Sequence, residues 1–176
     1  MDKRSNTTPT SVLISIYQQY ADAILEGEKI IEFRKPQFPD HVSRVYLYST
    51  NPVKKVVGYF EVESVLRESP THLWNRYGKR GSIGREDYFK YYENNNEACG
   101  ILIKKVVRFK RPVELKELDD EMTVPQSFCY LGEDKIERLE KLSFFPSRFR
   151  DDSLFFGAFR RVRNLPRFFK LAMRIS

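Results

Sequence analysis

The sequence predicts an α+β domain with a barrel-like sheet, and three observations carry the prediction. Short β-branched strands are mixed with several helices, without the strict strand–helix–strand alternation of a parallel α/β fold. Turn signals such as Pro36, Pro39, Asn51-Pro52 and Asn94-Asn95-Asn96 interrupt the chain at short intervals. At 176 residues and 41% hydrophobic content, the chain suits one domain with its own core plus an appendage.

Each element follows from its local pattern. Val12–Ile16 is a short apolar strand, and Tyr20, Ala21, Ala23, Ile24 and Leu25 recur at helical spacing within a helix over 18–26. Gly27 ends that helix at low steric cost. Ile30–Arg34 is extended and stops before Pro36 and Pro39. Over 43–49, Val45 and Leu47 alternate with Arg44, Tyr46 and Tyr48, the pattern of a half-buried strand. A long strand follows over 56–66, with Gly58 as a bulge or close approach. Ser69-Pro70 opens a helix over 71–77 that carries Trp74, the basic loop 78–81 follows, and a second helix spans 82–92. The strand from Ala98 runs to Arg108 and is expected to end at Pro112. The last helix, over 133–142, is apolar at Ile136, Leu139 and Leu142.

Bulk properties exclude several classes. No run of 18 apolar residues exists, and Met1–Thr10 lacks the apolar core of a secretory signal, so a cytoplasmic location without a transmembrane segment is expected. Cys99 and Cys129 lie 30 residues apart, with only His41 and His72 as further candidates, so no metal site and no cofactor is expected. The net charge of +7 is concentrated in residues 147–176, where eight cations face only Asp151 and Asp152 and give +6. The rest of the chain is nearly neutral.

The segment Gly27-Glu28-Lys29-Ile30-Ile31-Glu32-Phe33-Arg34 places Lys29, Glu32 and Arg34 among apolar residues at a helix-to-strand junction. Charges in such a place are solvated, paired or used. The plain reading is a surface ion pair worth little; the sharper one is a ligand site. In a regular strand Lys29 and Glu32 point to opposite sides, so a shared site requires a bend or loop at Lys29.

The same segment, with Leu13–Ile16, Tyr20–Lys29, Tyr48–Gly58 and Pro125–Leu131, resembles the ASCH-domain family, whose signature is G-x-K-x-x-x-x-R. The resemblance covers about residues 12–131 and implies a PUA-like mixed β-barrel with peripheral helices. With the polar start and the basic end read from composition, the chain divides into a flexible arm over 1–10, an ASCH domain over 11–142 and a basic, aromatic-rich extension over 143–176. The resemblance also implies a groove that binds RNA or a nucleotide-derived ligand. Some family members remove acetyl from N4-acetylcytidine, and others have been assigned ribonuclease activity. The amidohydrolase pattern pairs the signature lysine, here Lys29, with a threonine three residues on, where this chain has Glu32. It also has a glutamate before a later helix, where this chain reads Lys79-Arg80-Gly81, with Glu86 one turn inside that helix.

Three functional expectations follow. The one that asks least of the residues is a binding module for RNA or a nucleotide-derived ligand, with a regulatory role. Lys29 and Arg34 would meet phosphate or carbonyl oxygens, Glu32 an amino or imino proton, and Tyr46, Tyr48 and Trp74 a base face. The alternative is a hydrolase acting on an acylated nucleoside or on RNA, with Lys29 and Glu32 as the catalytic pair. The third is a protein-interaction domain, favoured by the near-neutral core. In the extension, Arg160, Arg161, Arg163, Arg167 and Lys170 interleave with phenylalanines, a composition suited to nucleic acid, an anionic membrane surface or a protein partner.

Overall fold

A computed structural model describes residues 10–144. The expectations for the N-terminal arm and for Arg160, Arg161, Arg163, Arg167 and Lys170 lie outside the described residues. In chain order the elements are β1 (Thr10–Ile16), α1 (Gln18–Leu25), β2 (Ile31–Arg34), β3 (Val42–Ser49), β4 (Lys55–Glu68), α2 (Pro70–Tyr77), α3 (Arg85–Tyr91), β5 (Ala98–Val113), β6 (Phe128–Leu131) and α4 (Glu133–Phe144). All six strands form one mixed sheet in the order β2-β5-β4-β3-β1-β6. The β1–β3 pair is parallel and the other neighbours are antiparallel.

The mixed α and β architecture meets the expectation, but the barrel is corrected: this is an open sheet with β2 and β6 at its ends. Those end strands have only four residues each. Side chains, not a hydrogen-bonded ladder, bring the two ends together. The Phe38 ring, just beyond β2, meets Phe128 of β6 edge-on at 5.4 Å, and Arg34 of β2 donates to the Ser15 carbonyl of β1 at 2.9 Å.

Both faces of the sheet are covered. Val12, Ile14, Val45 and Leu47 pack with Ala21 and Ile24 of α1 on one face. Leu13, Tyr46, Tyr48, Phe109 and Leu139 of α4 form a second cluster. A third joins Ile31 and Phe33 to Leu73 of α2 and to Tyr88 of α3. The expected polar face of β3 is therefore a second core, because α4 covers it. Each large apolar side chain so buried contributes about 1.5–3 kcal/mol relative to exposure.

Three local expectations also change. The 82–92 helix starts at Arg85, because Ser82 has φ of 52°, a left-handed conformation that no α-helix includes. Strand β5 runs through Pro112 to Val113. Between the pairs Gly58–Arg108 and Val56–Val113 the ladder is interrupted, so the missing Pro112 N–H costs no bond there. Strand β6 pairs with β1 and has no counterpart among the predicted elements. At Gly58 the register does shift, as its sequence position implied. A Cβ there would press on the Val107 carbonyl and lie 2.7 Å from Leu25, so glycine lets the end of α1 sit directly on the sheet.

Candidate functional site

Helix α1 ends where Gly27 takes φ of 81°, and the Glu28 and Lys29 N–H groups then donate to the Ala23 carbonyl at 2.9 and 3.0 Å. This turn leaves Lys29 in a loop rather than in β2, which meets the geometric condition for a shared site. Ile30 next fixes the chain on both sides: its N–H donates to Arg80 O at 3.2 Å, and its carbonyl accepts from the Ile103 N–H at 3.0 Å. Within β2, Ile31 and Phe33 face the third core cluster. Glu32 and Arg34 take the opposite side, in register with Ile101 and Cys99 of the first.

The three charges therefore meet. Lys29, Glu32 and Arg34 are 3%, 6% and 8% exposed. Lys29 Nζ lies 3.4 Å from Glu32 Oε2, and Arg34 Nε lies 3.1 Å from Glu32 Oε1. The Arg34 Nε contact lacks hydrogen-bond direction, so it is an electrostatic approach. Lys29 also donates to the Gly81 carbonyl and has the Phe33 and Tyr20 rings at 5.2 and 5.4 Å. Burial pushes the Lys29 amine below its ordinary 10.5, and the nearby Glu32 carboxylate opposes that shift in part.

Other elements brace this cluster. The Tyr92 hydroxyl donates to the Arg34 carbonyl at 2.8 Å. Lys35 donates to the Tyr91 carbonyl and lies 4.7 Å from the centre of its ring. Burial raises the Tyr91 hydroxyl, which Arg34 lowers and Glu32 raises in turn, so the phenol senses both groups. Ser15, Gly81, Tyr91 and Tyr92 escape sequence reasoning for a simple reason. Ser15, Gly81 and Tyr91 take part through backbone carbonyls, Tyr92 reaches Arg34 through its hydroxyl, and Gly81 is 52 residues from Lys29.

The aromatic residues expected to stack a base are not with the cluster. Tyr46 and Tyr48 are buried in the α4-covered core, where Tyr46 accepts from Arg44 at 3.1 Å and packs on Tyr59 and Phe109. Trp74 is half-buried against Tyr88 and Phe89, at ring distances of 4.9 and 5.9 Å. His41 and His72 are exposed. Segment 79–81 does reach Lys29, but with a carbonyl instead of a carboxylate, and Glu86 is exposed on α3. No group of His, Cys, Asp or Glu suited to a metal ion occurs among the described residues, and no helix among them is long and apolar enough to cross a membrane. Burial raises the Cys99 thiol to about 11, the state of an inert core thiol.

An open mixed sheet with helices on both faces, holding a buried cation–carboxylate–cation cluster between its first helix and an end strand, defines the class of domain. The chain belongs to the ASCH-domain family, whose model matches residues 14–142. An ASCH domain-containing ribonuclease of Zymomonas mobilis is 30% identical over 135 residues, 74% of this chain and 90% of that protein. A crystal structure of ASCH from Zymomonas mobilis superposes with a TM-score of 0.72 at 30% identity, covering 76% of this chain and 95% of that one. Large ribosomal subunit protein uL22 of Ureaplasma parvum is 35% identical over 131 residues, 73% of this chain but only 41% of that relative's length.

Proposed function

We propose that this chain is an RNA-binding domain whose polar centre is Lys29, Glu32 and Arg34. The observation that carries the reading is one carboxylate held between two cations, almost shut off from water. With Lys29 protonated the cluster has a surplus positive charge in a poorly screened place, which favours an anionic ligand. A buried amine shifted by desolvation and by a specific charged partner is also the kind of group that marks functional sites. The name of one relative, a ribonuclease matched over 90% of its length, supports RNA as the ligand class.

A second reading, RNA cleavage, is favoured by the ribonuclease name. In that chemistry the ribose 2′-oxygen attacks the adjacent phosphorus and the 5′-oxygen leaves. Glu32 would accept the 2′-hydroxyl proton, while Lys29 and Arg34 offset the charge gathering on the phosphoryl oxygens. Binding ranks first because both oxygens of Glu32 already face a cation, so the carboxylate is not free to meet a 2′-hydroxyl.

The test is to incubate the purified chain with labelled single-stranded RNA over a salt series and to separate bound, free and cleaved RNA. Salt-sensitive retention of intact RNA supports the binding domain. Shortened products that vanish in Glu32→Gln, with the variant still folded by circular dichroism, move the conclusion to cleavage. Neither retention nor products removes RNA as the ligand.

A further inference from the structure

A second polar feature lies at the other end of α1. Tyr17, Gln18, Gln19, Asp22 and Asn51 line an open depression of about 600 Å³ that contains none of the Lys29, Glu32 and Arg34 cluster. Tyr17 occupies the N-cap of α1 but makes no side-chain cap, and it is 70% exposed. Helix α2, by contrast, is capped by Ser69, whose hydroxyl accepts from the His72 N–H. A large aromatic in water at a position suited to Ser, Thr, Asp or Asn forgoes local stability, and such breaches of local rules concentrate at functional places.

The chain just before Asn51 is polar as well. Thr50 N–H donates to Ile16 O at 2.9 Å, which joins the residue before Tyr17 to the residue before Asn51. The Ser49 and Thr50 hydroxyl oxygens are shut from solvent with no hydrogen-bond partner, and Ser49 is 1% exposed. By strand alternation Ser49 lies on the same face as Val45 and Leu47, the face that α1 covers.

We propose that this depression holds one base of a single-stranded RNA, with Tyr17 stacked on the base and Gln18, Gln19, Asn51 and Asp22 reading its edge. The lining decides the chemistry. It contains no cation, and Asp22 would repel a phosphate, so the backbone is not what sits there. Three carboxamides and a carboxylate complement the donors and acceptors of a heterocycle. The exposed ring supplies the stacking surface that single-strand binding uses. Tyr20 joins this place to the buried cluster: its ring meets Tyr17 at 6.3 Å and has Lys29 Nζ at 5.4 Å. The proposal rests on the RNA reading above and adds a subsite with separate residues.

Asp22 accepts hydrogen bonds only, so a base with an exocyclic amine (adenine, cytosine or guanine) is preferred over uracil, whose edge offers a single N3–H donor. The experiment measures fluorescence anisotropy of labelled oligo(A), oligo(C) and oligo(U) with the full chain and with Tyr17→Ala, Tyr17→Phe and Asp22→Asn. Tyr17→Ala is expected to weaken binding about fivefold to more than a hundredfold, Tyr17→Phe to retain it, and Asp22→Asn to narrow the preference over oligo(U). Tyr17 is exposed, so its removal leaves the fold intact. RNA binding that is unchanged in Tyr17→Ala overturns the subsite and leaves the RNA reading standing. If the wild-type chain binds no RNA, that reading fails, and a titration with adenosine and cytidine decides the subsite alone. Selective NMR shifts of the Gln18, Gln19 and Asn51 side-chain amides uphold it, and unshifted amides overturn it.

Discussion

The two clusters of opposite charge on the two faces of the sheet are built from similar groups but in different surroundings. On the α1 face, Glu32 lies between Lys29 and Arg34, all three buried. On the α4 face, Arg44 pairs with Glu140 at 2.7 Å, donates to the Tyr46 hydroxyl and stacks 4.4 Å from the centre of the Tyr59 ring, with both charged side chains partly in solvent. The difference is solvent. Water screens the Arg44–Glu140 pair, so Glu140 can be lost cheaply. The Lys29–Glu32–Arg34 cluster has no such relief, and removing its one carboxylate strands two buried cations.

The largest expected effect is therefore that of Glu32→Gln, a loss of about 3–5 kcal/mol of stability in urea unfolding. A loss below about 1 kcal/mol would show that the cluster behaves like its exposed counterpart. Lys29→Met tests the same cluster from the other side. It removes a desolvated charge and leaves the Glu32–Arg34 pair in place, so stability should change by less than about 2 kcal/mol despite the lost bond to Gly81.

Stability also varies with pH through the buried groups. The folded Lys29 amine gives up its proton below 10.5, so the unfolded chain holds more protons between the lowered value and 10.5. Stability contributed by Lys29 accordingly rises with pH across that window. Burial holds the Tyr46 hydroxyl at about 12 and raises those of Tyr88 and Tyr92 further. Unfolded tyrosines ionise near 10, so above that pH the tyrosines make stability fall. Urea midpoints measured from pH 8 to 11 should show that fall, and Lys29→Met should remove only the rising component. The smallest effect belongs to Glu140→Gln, below about 1 kcal/mol and shrinking further in high salt.

Local patterns made most elements legible. The apolar spacing in Tyr20–Leu25 with Gly27 behind it, the β-branched run from Ala98, and Ser69-Pro70 each encode their own structure within a few residues. What they could not encode was which surfaces meet. Tyr46 and Tyr48 read as a polar strand face, because the helix that covers them lies about 90 residues later in α4. Ser82 looked helical because one left-handed residue leaves no compositional trace. The core of the candidate site was legible from Lys29, Glu32 and Arg34, but Gly81 and Ser15 contribute carbonyls, which every residue type carries. The Tyr17 depression was hidden similarly, since the parallel β1–β3 pairing brings Asn51 beside the start of α1 from about 30 residues away.

If the buried cluster serves a ligand as well as the fold, Lys29→Met separates the two roles. The measurement is the affinity of this variant for single-stranded RNA at low salt, with its melting temperature recorded alongside. At least a tenfold loss of RNA affinity in a variant that melts within a few degrees of wild type is the predicted result. Unchanged affinity in the folded variant would contradict a ligand role and leave Lys29, Glu32 and Arg34 as a clamp between α1, β1 and β2.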